Sequence, residues 1–195
     1  MEVVELNDFL PVSLQEHIKH ILLDKDFDWH YIADVTFDEN HEQGDVQQPG
    51  FYNTPVLDGR PQNKFFDCFS FFVPLLMDAY SKFYPPAHIH LSRMRIGLNI
   101  PGSDDGYNNP HIDHEGCDVS AIKNNVVALY YVNSTPGDTY IFNETVKSEN
   151  YTTLAKIKPQ QGKLVFFDGN HYHASSSSKS KDVRLVISFN LYEFH

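Results

Sequence analysis

Pro110-His111-Ile112-Asp113-His114-Glu115-Gly116 is the stretch from which the rest of the chain can be read. His111 and Asp113 are two residues apart, and alternate side chains of a β-strand share one face. An imidazole and a carboxylate placed this way can reach the same metal ion. A third ligand has to come from elsewhere, and Asn170-His171-Tyr172-His173-Ala174-Ser175 offers two candidates, His173 and His171. Two histidines and one carboxylate form a facial set that suits non-haem Fe(II) and leaves coordination positions open; only geometry and those open positions favour iron over zinc. The competing reading makes His111 a turn histidine and Asp113 a capping residue. A histidine–x–aspartate pair alone is weak evidence. A distant histidine followed at a suitable interval by an arginine makes a stronger combination.

That arginine is Arg184, in Asp182-Val183-Arg184-Leu185-Val186-Ile187-Ser188-Phe189-Asn190. With a period of two, Arg184, Val186 and Ser188 share one face and Leu185, Ile187 and Phe189 the other. A guanidinium buried among β-branched neighbours is costly unless a carboxylate meets it. Its fork matches a carboxylate with two parallel hydrogen bonds, and the Ser188 hydroxyl can add a donor to the same group. The alternative partner is a structural Asp or Glu.

Around these residues the second half of the chain reads as many short strands. They are Leu91 to Ile100, His111 to Asp113, Asn125 to Asn133, Thr139 to Phe142, Leu154 to Ile157, Lys163 to Phe167 and Val183 to Tyr192. Turn signals separate them, among them Pro136-Gly137-Asp138 and Asp168-Gly169-Asn170. Such a series predicts a sandwich or barrel, and a jelly roll fits. The first half differs. Leu14, Ile18, Ile21 and Leu22 predict an amphipathic helix over about residues 12–24. Trp29 to Phe37 reads as a strand, and residues 38–62 as one long polar loop. Residues 63–84 read as a buried helix, kinked or restarted at Pro74. The expected organisation is a single domain over residues 1–195, with a helical and loop support region over 1–90 and a jelly-roll core over 91–195.

The chain has 195 residues, aromatic content of 14% and a formal net charge of −11. That charge argues against nucleic acid, which needs a basic footprint, and against an anionic membrane surface. It suits a basic peptide and leaves room for a small substrate. Cys68 and Cys117 lie far apart without a CxxC pattern and read as ordinary buried thiols in a reducing compartment. Met1-Glu2 opens without a signal pattern, and the apolar run Phe69 to Met77 is too short to span a bilayer. A soluble, intracellular (cytoplasmic) protein is expected, of unspecified oligomeric state.

Several motifs in order resemble the Fe(II)- and 2-oxoglutarate-dependent dioxygenases, within them the prolyl-4-hydroxylase-like group, over about residues 92–193. His111-Ile112-Asp113 resembles the HxD motif, Leu129-Tyr130-Tyr131-Val132-Asn133 a YYLN-type strand, and Pro136-Gly137-Asp138-Thr139-Tyr140-Ile141-Phe142 a GGxTxF-type segment. Gly162-Lys163-Leu164-Val165-Phe166-Phe167-Asp168 resembles the strand leading to the distal ligand, and on that likeness His173 is preferred over His171. Arg184 stands where the basic residue for 2-oxoglutarate stands. The resemblance implies a mainly β fold with flanking N-terminal helices, a double-stranded β-helix. It implies Fe(II) held by His111, Asp113 and His173, with 2-oxoglutarate and O2 as co-substrates and ascorbate as a further candidate. Tyr131, Thr139 and Ser188 would join Arg184 around the far carboxylate. Where the family often has a tyrosine before its Pro-Gly turn, this chain has Asn99-Ile100; Asn99 or Tyr107 is the candidate for that contact.

The activity implied is hydroxylation of a substrate C–H bond with release of succinate and carbon dioxide. A prolyl residue of a peptide or protein is the first substrate expectation, by resemblance alone. A small-molecule hydroxylase, for example of a free amino acid, is the alternative within the class. A jelly-roll module holding its metal without catalysis is the alternative outside it. Shielding of the reacting centre calls for a closing loop; residues 38–62 are the candidate, with a simple surface loop as the other reading.

Overall fold

The computed structural model describes residues 1–35, 48–84, 88–102, 106–113, 122–176 and 181–194. Two antiparallel sheets face each other as a double-stranded β-helix. Among the described residues eleven strands carry them: β1 (Val4–Leu6), β2 (His30–Ile32), β3 (Gly50–Leu57), β4 (Arg60–Pro61), β5 (Ile89–Asn99), β6 (Ile122–Tyr131), β7 (Thr139–Phe142), β8 (Thr153–Ile157), β9 (Leu164–Asp168), β10 (His173–Ser175) and β11 (Arg184–Phe194). The large sheet runs β1-β9-β6-β11-β5-β3-β2, with β4 beside β3; the small sheet runs β10-β7-β8. From β6 onward the chain crosses repeatedly between the two sheets: β6 lies in the large one, β7 and β8 in the small, β9 in the large, β10 in the small and β11 in the large. A single antiparallel bridge, His111 to His173, extends the small sheet beyond β10.

Period-two alternation sorts the large sheet into two faces. Met94, Ile96, Ala128, Tyr130, Leu164, Phe166, Leu185, Ile187 and Phe189 point outward into the main core. Helices α1 (Val12–Leu22), α2 (Phe65–Phe69) and α3 (Phe72–Phe83) cover that face. Helix α1 buries Gln15, Ile18 and Leu22, and α3 buries Phe72, Leu76, Ala79 and Tyr80, the spacing of one helical face. The Phe72 ring meets Tyr130 and Phe189, each at a centroid distance of 5.1 Å. The opposite face packs Val127, Leu129, Tyr131, Val165 and Phe167 against Ile141 and Ile157 of the small sheet. The same inter-sheet layer, farther along β5 and β11, holds the polar residues described below.

Several expectations are corrected. Residues 38–62 are not one loop: Gly50–Leu57 and Arg60–Pro61 are strands, and β3 pairs with both β2 and β5. The remainder of that loop reading falls on residues 36–47, outside the described residues. The strand over Trp29 to Phe37 is confined to His30–Ile32 among the described residues. The long helix breaks at Ser70 and Phe71, before Pro74, which then sits in the first turn of α3 where a missing N–H costs nothing. His111 to Asp113 is not a regular strand but a one-residue bridge followed by a turn. Cys68 is exposed rather than buried; Cys117 lies outside the described residues. No helix among the described residues is long and apolar enough to cross a membrane.

Candidate metal centre and its carboxylate pocket

The backbone pairs His111 with His173 through two hydrogen bonds of 3.0 Å, each N–H donating to the other's carbonyl. This bridge sets the two imidazoles side by side, ring centroids 4.6 Å apart. The turn that follows His111 brings the Asp113 carboxylate between them. Its Oδ1 lies 3.7 Å from His111 Nε2 and 3.7 Å from His173 Nε2. One ligand atom from each residue lies within 4.8 Å of the others, as a shared ion requires. Each imidazole has its other nitrogen beside a carbonyl, His111 Nδ1 at 3.2 Å from Asn109 O and His173 Nδ1 at 3.2 Å from His171 O. A proton held at Nδ1 leaves the Nε2 lone pair for a metal, the usual support of a histidine ligand.

His171 is placed elsewhere: its Nδ1 meets Phe142 O at 2.7 Å. Two further side chains hold the Asp113 carboxylate. Arg93 reaches Oδ1 at 3.0 Å, and Asn190 Nδ2 donates to Oδ2 at 2.9 Å. Arg93 Nε donates in turn to Asn190 Oδ1 at 2.9 Å, closing a ring of three side chains. Burial pushes the Asp113 carboxyl up, but the Arg93 guanidinium and the two imidazoles outweigh it and hold it well below the usual carboxylate range. The site therefore presents an anionic oxygen between two imidazole nitrogens, a donor set that fits Fe(II). The sequence reading missed Arg93 and Asn190. The signal was present in Arg93, Met94, Arg95, Ile96, Gly97, which puts two arginines on the face opposite a buried Met and Ile.

The cavity at this centre has a volume of about 100 Å³, and its wall includes Arg93, Arg95, Asn99, Thr139, Arg184 and Ser188 besides the three cluster residues. Arg184 is 3% exposed. Its NH2 donates to Thr139 Oγ1 at 2.6 Å, and the Tyr131 hydroxyl shares that oxygen at 2.7 Å. Its Nε and NH1 are buried without an acceptor among the described residues. Burial lowers the Arg184 pKa, opposed by Tyr131 and Asp138. An orphaned buried guanidinium fork fits an incoming carboxylate, so the residues present suit 2-oxoglutarate. Asn99 pairs across the strands with Arg184 and is buried against the cavity. Tyr107 is placed away from it, its ring meeting Tyr140 at 5.4 Å and Phe142 at 4.8 Å. Ser188 lines the cavity, but its hydroxyl lies 3.3 Å from Arg95 O. It sits four residues from Arg184, not beside its fork.

No family model and no curated protein matches the chain. Solved structures do match. A prolyl hydroxylase from Trichoplax adhaerens, in complex with a hypoxia inducible factor oxygen degradation domain peptide fragment, aligns at a TM-score of 0.64 and 16% identity, over 98% of this chain and 83% of that one. A 2OG-Fe(II) oxygenase family oxidoreductase from Burkholderia pseudomallei aligns at 0.66 and 14% identity, over 97% and 84%. The non-heme alpha ketoglutarate dependent epimerase SnoN of nogalamycin biosynthesis aligns at 0.65 and 11% identity, over 98% and 78%. The fold is thus the jelly roll of solved Fe(II)- and 2-oxoglutarate-dependent oxygenases.

Proposed function

We propose that this chain is an Fe(II)- and 2-oxoglutarate-dependent oxygenase that hydroxylates a C–H bond of its substrate. The observation that carries the reading is Arg184. It lines the cavity that also holds the His111–Asp113–His173 cluster, and two of its buried donors, Nε and NH1, have no acceptor among the described residues. A module that only held a metal would gain nothing from an uncompensated buried cation, which costs several kcal/mol to desolvate (roughly, after relaxation).

His111 Nε2, Asp113 and His173 Nε2 would hold the metal, and Arg184 with Thr139 and Tyr131 would receive the far carboxylate of 2-oxoglutarate. Bound together, metal and co-substrate supply the oxidising chemistry: O2 is divided between 2-oxoglutarate, which leaves as succinate and carbon dioxide, and a substrate C–H bond, which becomes an alcohol. The protein's own contribution is positioning. Asn109 and His171 carbonyls orient the imidazoles, Arg93 and Asn190 keep the Asp113 carboxylate ionised and aimed, and Thr139 ties the small sheet to Arg184. Ascorbate remains a proposed auxiliary.

For the substrate, a prolyl residue of a peptide or protein is supported by the sequence motifs and by the prolyl hydroxylases among the structures of this fold. A small molecule is the second reading, supported by the epimerase and a carbocyclase in the same set. The test of the class needs no substrate. Anaerobic protein given Fe(II) and 2-oxoglutarate should develop the visible charge-transfer absorption of a keto acid chelated to iron. Iron binding without that band would leave the metal structural.

A further inference from the structure

Arg93, Arg95, Gly97 and Asn99 alternate along the inner face of β5, opposite Asn190, Ser188, Val186 and Arg184 of β11. Two arginines of this wall have evident work: Arg93 holds Asp113, and Arg184 faces the co-substrate pocket. For Arg95 no carboxylate or carbonyl among the described residues accepts from its guanidinium, which lies over the Tyr52 ring, 5.1 Å from the guanidinium carbon to the centroid. Burial and the adjacent Arg93 charge both lower its pKa, against smaller opposing effects of Asp113 and Tyr52, so a cation with no acceptor among the described residues is kept here at a cost.

Arg95 also stands where two spaces meet. It lines the metal cavity and, with Arg93, a second groove of about 500 Å³ whose walls include His30, Tyr52, Thr54 and Gln62. That groove forms because β3 and β2 extend the large sheet past the small one: Tyr52 lies opposite Gly97 and His30 opposite Tyr52. Asn99, the partner of Arg184, is four residues from Arg95, about 13 Å along the strand. The two guanidiniums therefore serve different ends of the cavity. Asp113 is the one acidic residue among the described residues lining either space, against three arginines. A divalent metal and a 2-oxoglutarate dianion cancel each other, so the described lining of the loaded cavity stays cationic although the chain carries −11.

We propose that Arg95 anchors the substrate by gripping a carboxylate that it carries, at the junction of the groove and the metal cavity. The proposal rests on the oxygenase reading above. It reverses the expectation, drawn from net charge, of a basic target: the local field of the site decides, not the sum over the surface. The flat fork and the Tyr52 ring beside it favour a planar anion over a single hydrogen-bonding group.

The experiment titrates the anaerobic Fe(II)–2-oxoglutarate protein with the free L-amino acids and their carboxamides, and with acetyl-Gly-Glu-Gly-amide against its Gln counterpart. Perturbation of the charge-transfer band and saturation-transfer NMR both read binding without turnover. At least one free acid, or the Glu peptide, should bind at least about tenfold more tightly than its amide. The preference should vanish in Arg95→Gln and return in part in Arg95→Lys. Free acids binding alone assigns a small-molecule substrate; the Glu peptide binding assigns a peptide carboxylate. The proposal is overturned if no carboxylate binds, if acids and amides bind alike, or if Arg95→Gln retains the preference. It is overturned too if Arg95→Gln abolishes the band, because Arg95 would then serve the co-substrate. Absence of the band in the unmutated protein is a different failure, that of the oxygenase reading itself.

Discussion

Asn190 Nδ2 donates to Asp113 Oδ2 at 2.9 Å, tying the last strand of the large sheet to the turn that carries the cluster's only carboxylate. Asn190 is fully buried, and its side-chain oxygen accepts from Arg93. One amide thus orients both the carboxylate and the guanidinium that keeps it ionised. Removal of such supporting partners weakens metal binding by roughly 10–100-fold. Asn190→Ala should lower Fe(II) or Mn(II) affinity by that factor in calorimetric titration. Asn190→Asp should do worse, because it sets a second carboxylate against Asp113. Unchanged affinity in both variants would remove Asn190 from the site.

The two histidines near β10 separate cleanly. His173 Nε2 faces Asp113, whereas His171 is bound to the Phe142 carbonyl. His173→Ala should abolish stoichiometric Fe(II) binding. His171→Ala should keep it and lose only stability, by about 1 kcal/mol for the hydrogen bond. Equal loss of iron in the two variants would show that the distal ligand is misassigned.

The residues that would meet the metal were legible in the sequence because few side-chain types can ligate and their spacing is short. Arg184 was legible because a cation in an apolar, alternating strand demands a partner. The same reasoning applies to Arg93 and Arg95, but their roles depend on the β5–β11 register, which sets Arg93 opposite Asn190 and Arg95 opposite Ser188. No local pattern states that register. Strand β3 was hidden by its composition: Asn53, Thr54 and Pro55 read as loop, and the pairing with β5 does shift register between Asn53 and Val56, the irregularity at which a strand tolerates proline. The helix break at Ser70 and Phe71 was masked by the apolar run on both sides, since Phe69 and Phe72 are both fully buried.

The Tyr130 hydroxyl is buried without a partner among the described residues, in a ring packed against Phe72. Burial raises its pKa well above the ordinary 10.0, and burial likewise raises that of Tyr131, against the pull of Arg184. A phenol whose folded pKa is raised stabilises the fold fully below the unfolded value. As pH rises past about 10 the unfolded chain loses protons that the folded one keeps, and stability falls by roughly 1.4 kcal/mol per pH unit for each such group. Phenolate absorbance of these two residues should therefore appear only together with loss of far-ultraviolet circular dichroism. Tyr130→Phe should flatten that alkaline limb and, by deleting an unsatisfied hydroxyl, raise stability at neutral pH by about 1 kcal/mol. A destabilised Tyr130→Phe variant would mean that the hydroxyl has a partner after all.

Arg184 sets function against stability. Its Nε and NH1 have no acceptor among the described residues, while its NH2 and the Tyr131 hydroxyl converge on Thr139 Oγ1. Two charge-assisted hydrogen bonds to a carboxylate are worth roughly 3 kcal/mol or more together, which is over about 100-fold in affinity. Arg184→Met should lose at least that much 2-oxoglutarate affinity, read from the charge-transfer band, with Fe(II) binding retained. Arg184→Lys keeps the charge without the fork and should fall between. The apo protein should respond in the opposite sense. Exchange of a buried, half-satisfied cation for an apolar chain of similar length relieves desolvation, so Arg184→Met should unfold at a higher temperature than the parent when no co-substrate is present. Added 2-oxoglutarate should raise the midpoint of the parent, because it binds only the folded state, and leave that of Arg184→Met unmoved. If the variant melts lower in the apo form, Arg184 already has its anion within the chain, and the pocket is not waiting for one.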